Sequence, residues 1–94
     1  MRIVCDIDGT LLYTRIDNGI YTVYDKAFAL IESINRHYDN GDEIILHTGR
    51  HWNHLQLTIE QLKTAGVKYT TLVMGKPVGD YYIDDRSVRP YEFL

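Results

Sequence analysis

Four short runs, "RIVCDI", "EIILHT", "KYTTLVM" and "DYYIDD", are rich in branched and aromatic residues and end on or beside polar or charged side chains. Runs of this length and composition read as buried strands. Between the first three lie stretches with helical periodicity. Ala27, Leu30, Ile31, Ile34 and Tyr38 share one face of a helix expected to run from an Asp25 cap to about residue 38. Leu55, Ile59 and Leu62 mark the inner face of a second helix over about 53–65, with Asn53 as its cap and Gly66 as its stop. Strands alternating with amphipathic helices imply a parallel sheet with helical crossovers. The expected fold is therefore α/β, with a small Rossmann-like core of four mostly parallel strands and flanking helices.

One segment departs from the alternation. "LLYTRIDNGIYTVY" (11–24) places Asn18-Gly19 between two β-forming stretches, the strongest short signal for a type I′ hairpin. It reads as a flap just beyond the first strand.

In sheets of this kind the ligand crevice lies outside the carboxyl ends of the strands. Strand one delivers Asp6 and Asp8 there, strand two Thr48, the loop after strand three Lys76, and strand four Asp84 and Asp85. Residues two apart on a strand point to the same side. Two carboxylates about 4 Å apart repel by roughly 4 kcal/mol at an effective dielectric near 20, so the cluster calls for a proton, solvent or a cation. Hard oxygen donors favour Mg²⁺, which binds through one or two carboxylates and keeps positions for water and a phosphate oxygen. Thr48, the backbone of the Thr48-Gly49-Arg50 turn and Lys76 supply groups that bind phosphate oxygens. Phosphoryl transfer needs mainly such positioning and charge stabilisation.

These motifs, "DIDGT", "HTGR", "GKP" and "YYIDD" in that order, resemble the four signatures of the haloacid dehalogenase (HAD) superfamily over residues 2–88. The compact form is similar to minimal HAD phosphatases of the capsule or polysaccharide biosynthesis type. The resemblance implies Asp6 as nucleophile and metal ligand, and Asp8 as general acid/base with its carbonyl on the metal. It further implies Thr48 and Lys76 as holders of the transferring group, with Asp84 and Asp85 completing a Mg²⁺ site. Gly49 and Arg50 are expected to contact substrate. An aspartate two residues after the nucleophile is similar to phosphatases and phosphomutases rather than dehalogenases. No cap domain fits between the motifs, so the site is expected to be open.

The totals narrow the alternatives. Ninety-four residues suit one domain, 1–94, with a modest core, and oligomerisation is expected to cover exposed sheet edges. A net charge of −3 argues against nonspecific nucleic-acid binding. The lone Cys5 excludes an intrachain disulfide and reads as a core residue. No apolar run reaches membrane-spanning length and no signal-peptide pattern opens the chain, so a cytoplasmic protein is the default. His47, His51 and His54 invite a zinc reading, but no acidic or cysteine partner lies beside them. Trp52 reads as a packing residue.

The expectation is a Mg²⁺-dependent phosphomonoesterase working through an aspartyl-phosphate. Its substrate is a small phosphorylated metabolite such as a sugar phosphate or nucleotide, or a phosphorylated nucleic-acid end. The competing readings are a receiver-type phosphoacceptor module, whose motif order differs, and a phosphotransferase.

Overall fold

The computed structural model describes all residues, 1–94. Its strands are β1 (Arg2–Asp6), β2 (Leu12–Asp17), β3 (Ile20–Lys26), β4 (Glu43–His47) and β5 (Thr71–Val73). The helices are α1 (Phe28–Asp39), α2 (Leu55–Ala65) and a last single turn α3 (Pro90–Phe93). A 3₁₀ turn, Trp52–His54, leads into α2.

β1, β4 and β5 form a parallel sheet in the order β1-β4-β5, with Ile3 opposite Ile44 and Cys5 opposite Leu46. These four side chains share one face. Both α1, through Leu30, Ile31 and Ile34, and α2, through Leu62 and Ala65, bury their apolar stripes against that face. Each fully buried Ile or Leu there contributes about 1.5–3 kcal/mol of transfer free energy. The other face has no helix on it, and Val4, pointing that way, is 56% exposed. Parallel sheets ordinarily have both faces covered.

The hairpin forms as expected. Asn18 and Gly19 both take positive φ, 52° and 77°, as a type I′ turn requires. β2 and β3 pair antiparallel with an irregularity at Tyr13/Thr14. The pairing continues to Tyr13–Asp25 and Leu12–Lys26, which draws Asp25 into the ladder. Asp25 therefore does not cap α1, whose N-cap is Ala27 with no side-chain bond. Similarly, His51 accepts the Asn53 amide and caps the 3₁₀ turn, displacing Asn53 from that role. Gly66 stops α2 in the left-handed region at φ 77°.

The sheet has three strands, not the expected four. Residues 80–85 form no strand and are exposed throughout. The reason is the short link. A parallel strand needs a crossover of a dozen or more residues, and only residues 74–79 separate β5 from Asp80.

Candidate active site

β1 ends at Asp6, and the turn that follows is tied by the amides of Thr10, Leu11 and Leu12, all donating to the Ile7 carbonyl. That tight turn aims two aspartates at the carboxyl edge of the sheet. Asp6 accepts Lys76 Nζ at 2.8 Å on Oδ1 and Thr10 Oγ1 at 3.0 Å on Oδ2. Lys76 is held in reach by its own amide, which donates to the Thr48 carbonyl, while the Thr48 amide donates to Val73. The loop after β5 is thereby laced to the loop after β4. Lys76 also lies 4.9 Å from the centroid of the Tyr82 ring.

Asp8 is gripped harder. Arg50 Nη2 donates to its Oδ1 at 2.8 Å, and Arg50 Nε lies 3.1 Å from its Oδ2. Thr48 Oγ1 (2.9 Å) and Thr14 Oγ1 (3.0 Å) donate to it as well. Burial pushes the Asp8 carboxyl up, but the Arg50 hydrogen bonds and charge, with the two threonines, outweigh it and hold it below its usual value. Asp8 thus rests as a carboxylate.

Arg50 was expected to face the crevice. It is instead 1% exposed, with Nη1 donating to Thr58 and Gln61 and its guanidinium 4.4 Å from the Tyr21 ring centroid. A planar fork with several donors suits this position beneath a carboxylate. Arg50 positions Asp8, and in this structure its donors are spent within the protein. Thr48 is likewise fully buried, its hydroxyl donating to Asp8 and accepting the Arg50 amide. Gly49 stands between them, where an added Cβ would meet Val78 Cγ2 at 2.5 Å. Glycine lets the two loops approach this closely without Val78 having to shift.

Asp84 and Asp85 are not drawn in. Asp84 accepts the Arg86 amide at 2.9 Å, which lowers its pKa, and Asp85, 88% exposed, has only Arg86 Nε at 4.0 Å. No three Asp, Glu, His or Cys side chains converge as a metal-ligand set, so the expected four-aspartate site is not assembled within one copy, and no zinc site forms from the histidines. The donors that do meet are hard oxygens. Asp6, still one-third exposed, is the carboxylate best placed to ligate Mg²⁺.

Several contributors were not foreseen. Thr10 and Thr14 steady the two carboxylates, and Thr58 and Gln61 steady Arg50. "DIDGT" contained Thr10, but its partner emerges only from the turn. His47 pairs with Asp6 across the β1–β4 register, and burial, then the Lys76 charge, lowers its pKa. Cys5 lies in the core with its thiol pushed up to about 12 by burial, which removes it as a nucleophile. A groove of about 660 Å³ runs between β3 and α2, lined by Tyr21, Tyr24, Leu57 and Glu60 among others and by neither Asp6 nor Asp8.

A carboxylate beside a lysine, and a second carboxylate clamped by arginine, thus sit together at the carboxyl edge of a parallel sheet. A sequence profile described as haloacid dehalogenase-like hydrolase matches residues 3–84, and the chain belongs to that family. Among solved structures, a structural-genomics target from Vibrio cholerae superposes with a TM-score of 0.79 at 28% identity, covering 98% of this chain and 85% of that one. A Vibrio cholerae protein designated a 3-deoxy-D-manno-octulosonate 8-phosphate phosphatase shares the fold, with a TM-score of 0.55 at 20% identity over 80% of this chain and 40% of its own. A search of curated protein sequences gives no significant match. Family membership removes the receiver-type reading. No helix is long and apolar enough to cross a membrane.

Proposed function

We propose that the chain is a Mg²⁺-dependent phosphomonoesterase of the cytosol, a single catalytic domain working through an aspartyl-phosphate. The observation that carries this reading is the pairing of Asp6 with Lys76, 70 residues apart and 2.8 Å in contact, beside an independently fixed Asp8. Asp6 attacks phosphorus in line with the ester oxygen, forming an O–P bond as the ester P–O bond breaks. Asp8 protonates the departing oxygen and then takes a proton from the water that opens the acyl-phosphate. Arg50 holds Asp8 ionised at rest. The arriving phosphate dianion is a like charge that raises the proton affinity of Asp8 and readies it as the acid. Lys76 and the Gly49 amide, which makes no hydrogen bond within the chain, face the growing charge on the phosphoryl oxygens. Asp6 would hold Mg²⁺, which would supply further neutralisation of the phosphate charge.

The open site suits a substrate whose phosphate reaches the edge while its body stays outside. Sugar phosphates come first among the classes to test, in keeping with the fold shared with the octulosonate 8-phosphate protein; nucleotides and phosphorylated nucleic-acid ends follow. The experiment is phosphate release from such a panel, with Mg²⁺ and with EDTA, for wild type and Asp6→Asn. The substitution keeps the shape and should lower turnover by at least about 10³-fold with an unchanged circular dichroism spectrum. Full activity in purified Asp6→Asn would remove the nucleophile and with it this mechanism.

A further inference from the structure

β1 is an edge strand whose second side has no partner, although it lies next to the carboxylates in the middle of the functional site. The same chain carries a strand-like segment with nothing to pair with. Tyr81 is 87% and Ile83 97% exposed, an unusual state for β-forming apolar residues so close together. The two features complement each other. Setting Asp84 level with Asp6 in parallel register brings Asp80 to Arg2 and Tyr82 to Val4, and turns Tyr81 and Ile83 toward the face of Ile3 and Cys5. Charge meets charge at one end, and apolar side chains meet along the middle.

Within one chain this pairing would need a link with no slack. Lys76 is held at the carboxyl edge by Asp6, whereas Asp80 would have to lie level with Arg2, about 13 Å down the four rises of β1 and about 5 Å beyond it, roughly 14 Å in all. The four steps from Lys76 to Asp80 span roughly 13–14 Å only when the chain is fully straight. Across a two-fold axis the obstacle disappears. With two β1 edges side by side and antiparallel, the carboxyl edge of one copy is level with the amino edge of the other, so a three-residue hop suffices.

We propose that two copies exchange the segment Asp80–Asp85, each segment adding as a parallel strand to β1 of the other copy and delivering Asp84 and Asp85 beside that copy's Asp6 and Asp8. Such an interface is self-complementary and closed, removes both exposed β1 edges, and completes an acidic site that one copy leaves unfinished. The completed site rests on the phosphatase reading; the exchange itself does not.

Two measurements separate these. The Val4→Cys/Tyr82→Cys double variant, oxidised at low protein concentration, should give a disulfide-linked species of twice the 11.0 kDa chain mass, absent from either single variant, and wild type should have that doubled mass in light scattering. A monomeric wild type, or a disulfide confined to one chain, overturns the exchange. Second, Asp6→Asn and Asp84→Asn/Asp85→Asn chains, each inactive alone, are unfolded and refolded together. Mixed dimers contain one intact site, so about a quarter of wild-type activity should return. No recovery, with wild type active, overturns the delivery of Asp84 and Asp85 in trans. A linked dimer of an inactive wild type would uphold the exchange and count against the phosphatase.

Discussion

Asp8 accepts hydrogen bonds from Thr14, Thr48 and Arg50, residues 6, 40 and 42 positions away. Asp84 accepts one from Arg86, two positions away, and Asp85 has the same arginine at 4.0 Å. Both doublets follow apolar runs and look equally strand-like. The first is held by partners recruited from β2, the loop after β4 and, through Thr58 and Gln61, α2. The second has only its own neighbours. The contrast teaches that a charged motif at a strand end becomes a site only when the surrounding chain can return to it with donors. The link from Asp6 to Lys76 is the last such return along the chain to this site.

The largest effect expected from breaking the first doublet's environment is on stability. Arg50→Ala leaves Asp8 without its counter-charge and Thr58 and Gln61 without their donor. Losing one partner of a buried ion pair costs about 3–5 kcal/mol, and the partial exposure of Asp8 places this case near 3. For a chain of this size that lowers Tm by more than about 10 °C. The cost depends on pH with a definite sign. Asp8 has a folded pKa below its ordinary 3.8, so its stabilisation is complete above about pH 4 and is lost as pH falls through the folded value. Melting wild type and variant from pH 7 to 3 should show a gap that narrows at the acid end. A gap that stays constant would mean that Arg50 acts by packing alone.

Lys76→Ala probes the boundary between the two regions. The pair with Asp6 is partly exposed and adds modestly to stability, so Tm should hardly move. The rate should fall at least tenfold, about 1.4 kcal/mol of transition-state stabilisation. Equal losses of kcat and kcat/KM would identify an interaction made in the transition state. An unchanged rate would leave Lys76 as a mere tether of its loop.

Local signals proved readable where local geometry decides the outcome. Asn18-Gly19 needs two positive φ values, and Gly66 a left-handed stop, so both were visible in the residues themselves. The parallel order of β1, β4 and β5 followed from alternating periods. Composition says that residues 80–85 can be a strand, whereas the link before them decides which sheet edge they can reach, so the chain's own sheet stops at three strands. Asp25 lost its capping role to a ladder that extends farther than the turn signal alone implies. Arg50 beside Gly49 suggested a substrate contact, since nothing in the sequence shows that Tyr21 and α2 close over it. Thr10 and Thr14 escaped because hydroxyl partners depend on turn geometry.

The hairpin offers the smallest and most local test. Gly19 has φ 77° with nothing within 4 Å of where a Cβ would stand, so Gly19→Ala meets no clash and bears only the left-handed conformational penalty, about 1 kcal/mol. The flap touches the site through Tyr21, whose ring lies against Arg50 and His54 and whose carbonyl accepts Gln61 Nε2 at 2.9 Å. Those contacts are anchored near α2 and not at the turn. If the first doublet's environment is truly fixed by long-range donors, Gly19→Ala should lower Tm by roughly 4–8 °C and leave KM and kcat unchanged. A matching loss of activity would show that the turn, through Tyr21, sets the position of Arg50. The flap would then belong to the machinery that orients Asp8, and the tightly held region would extend to the tip of the hairpin.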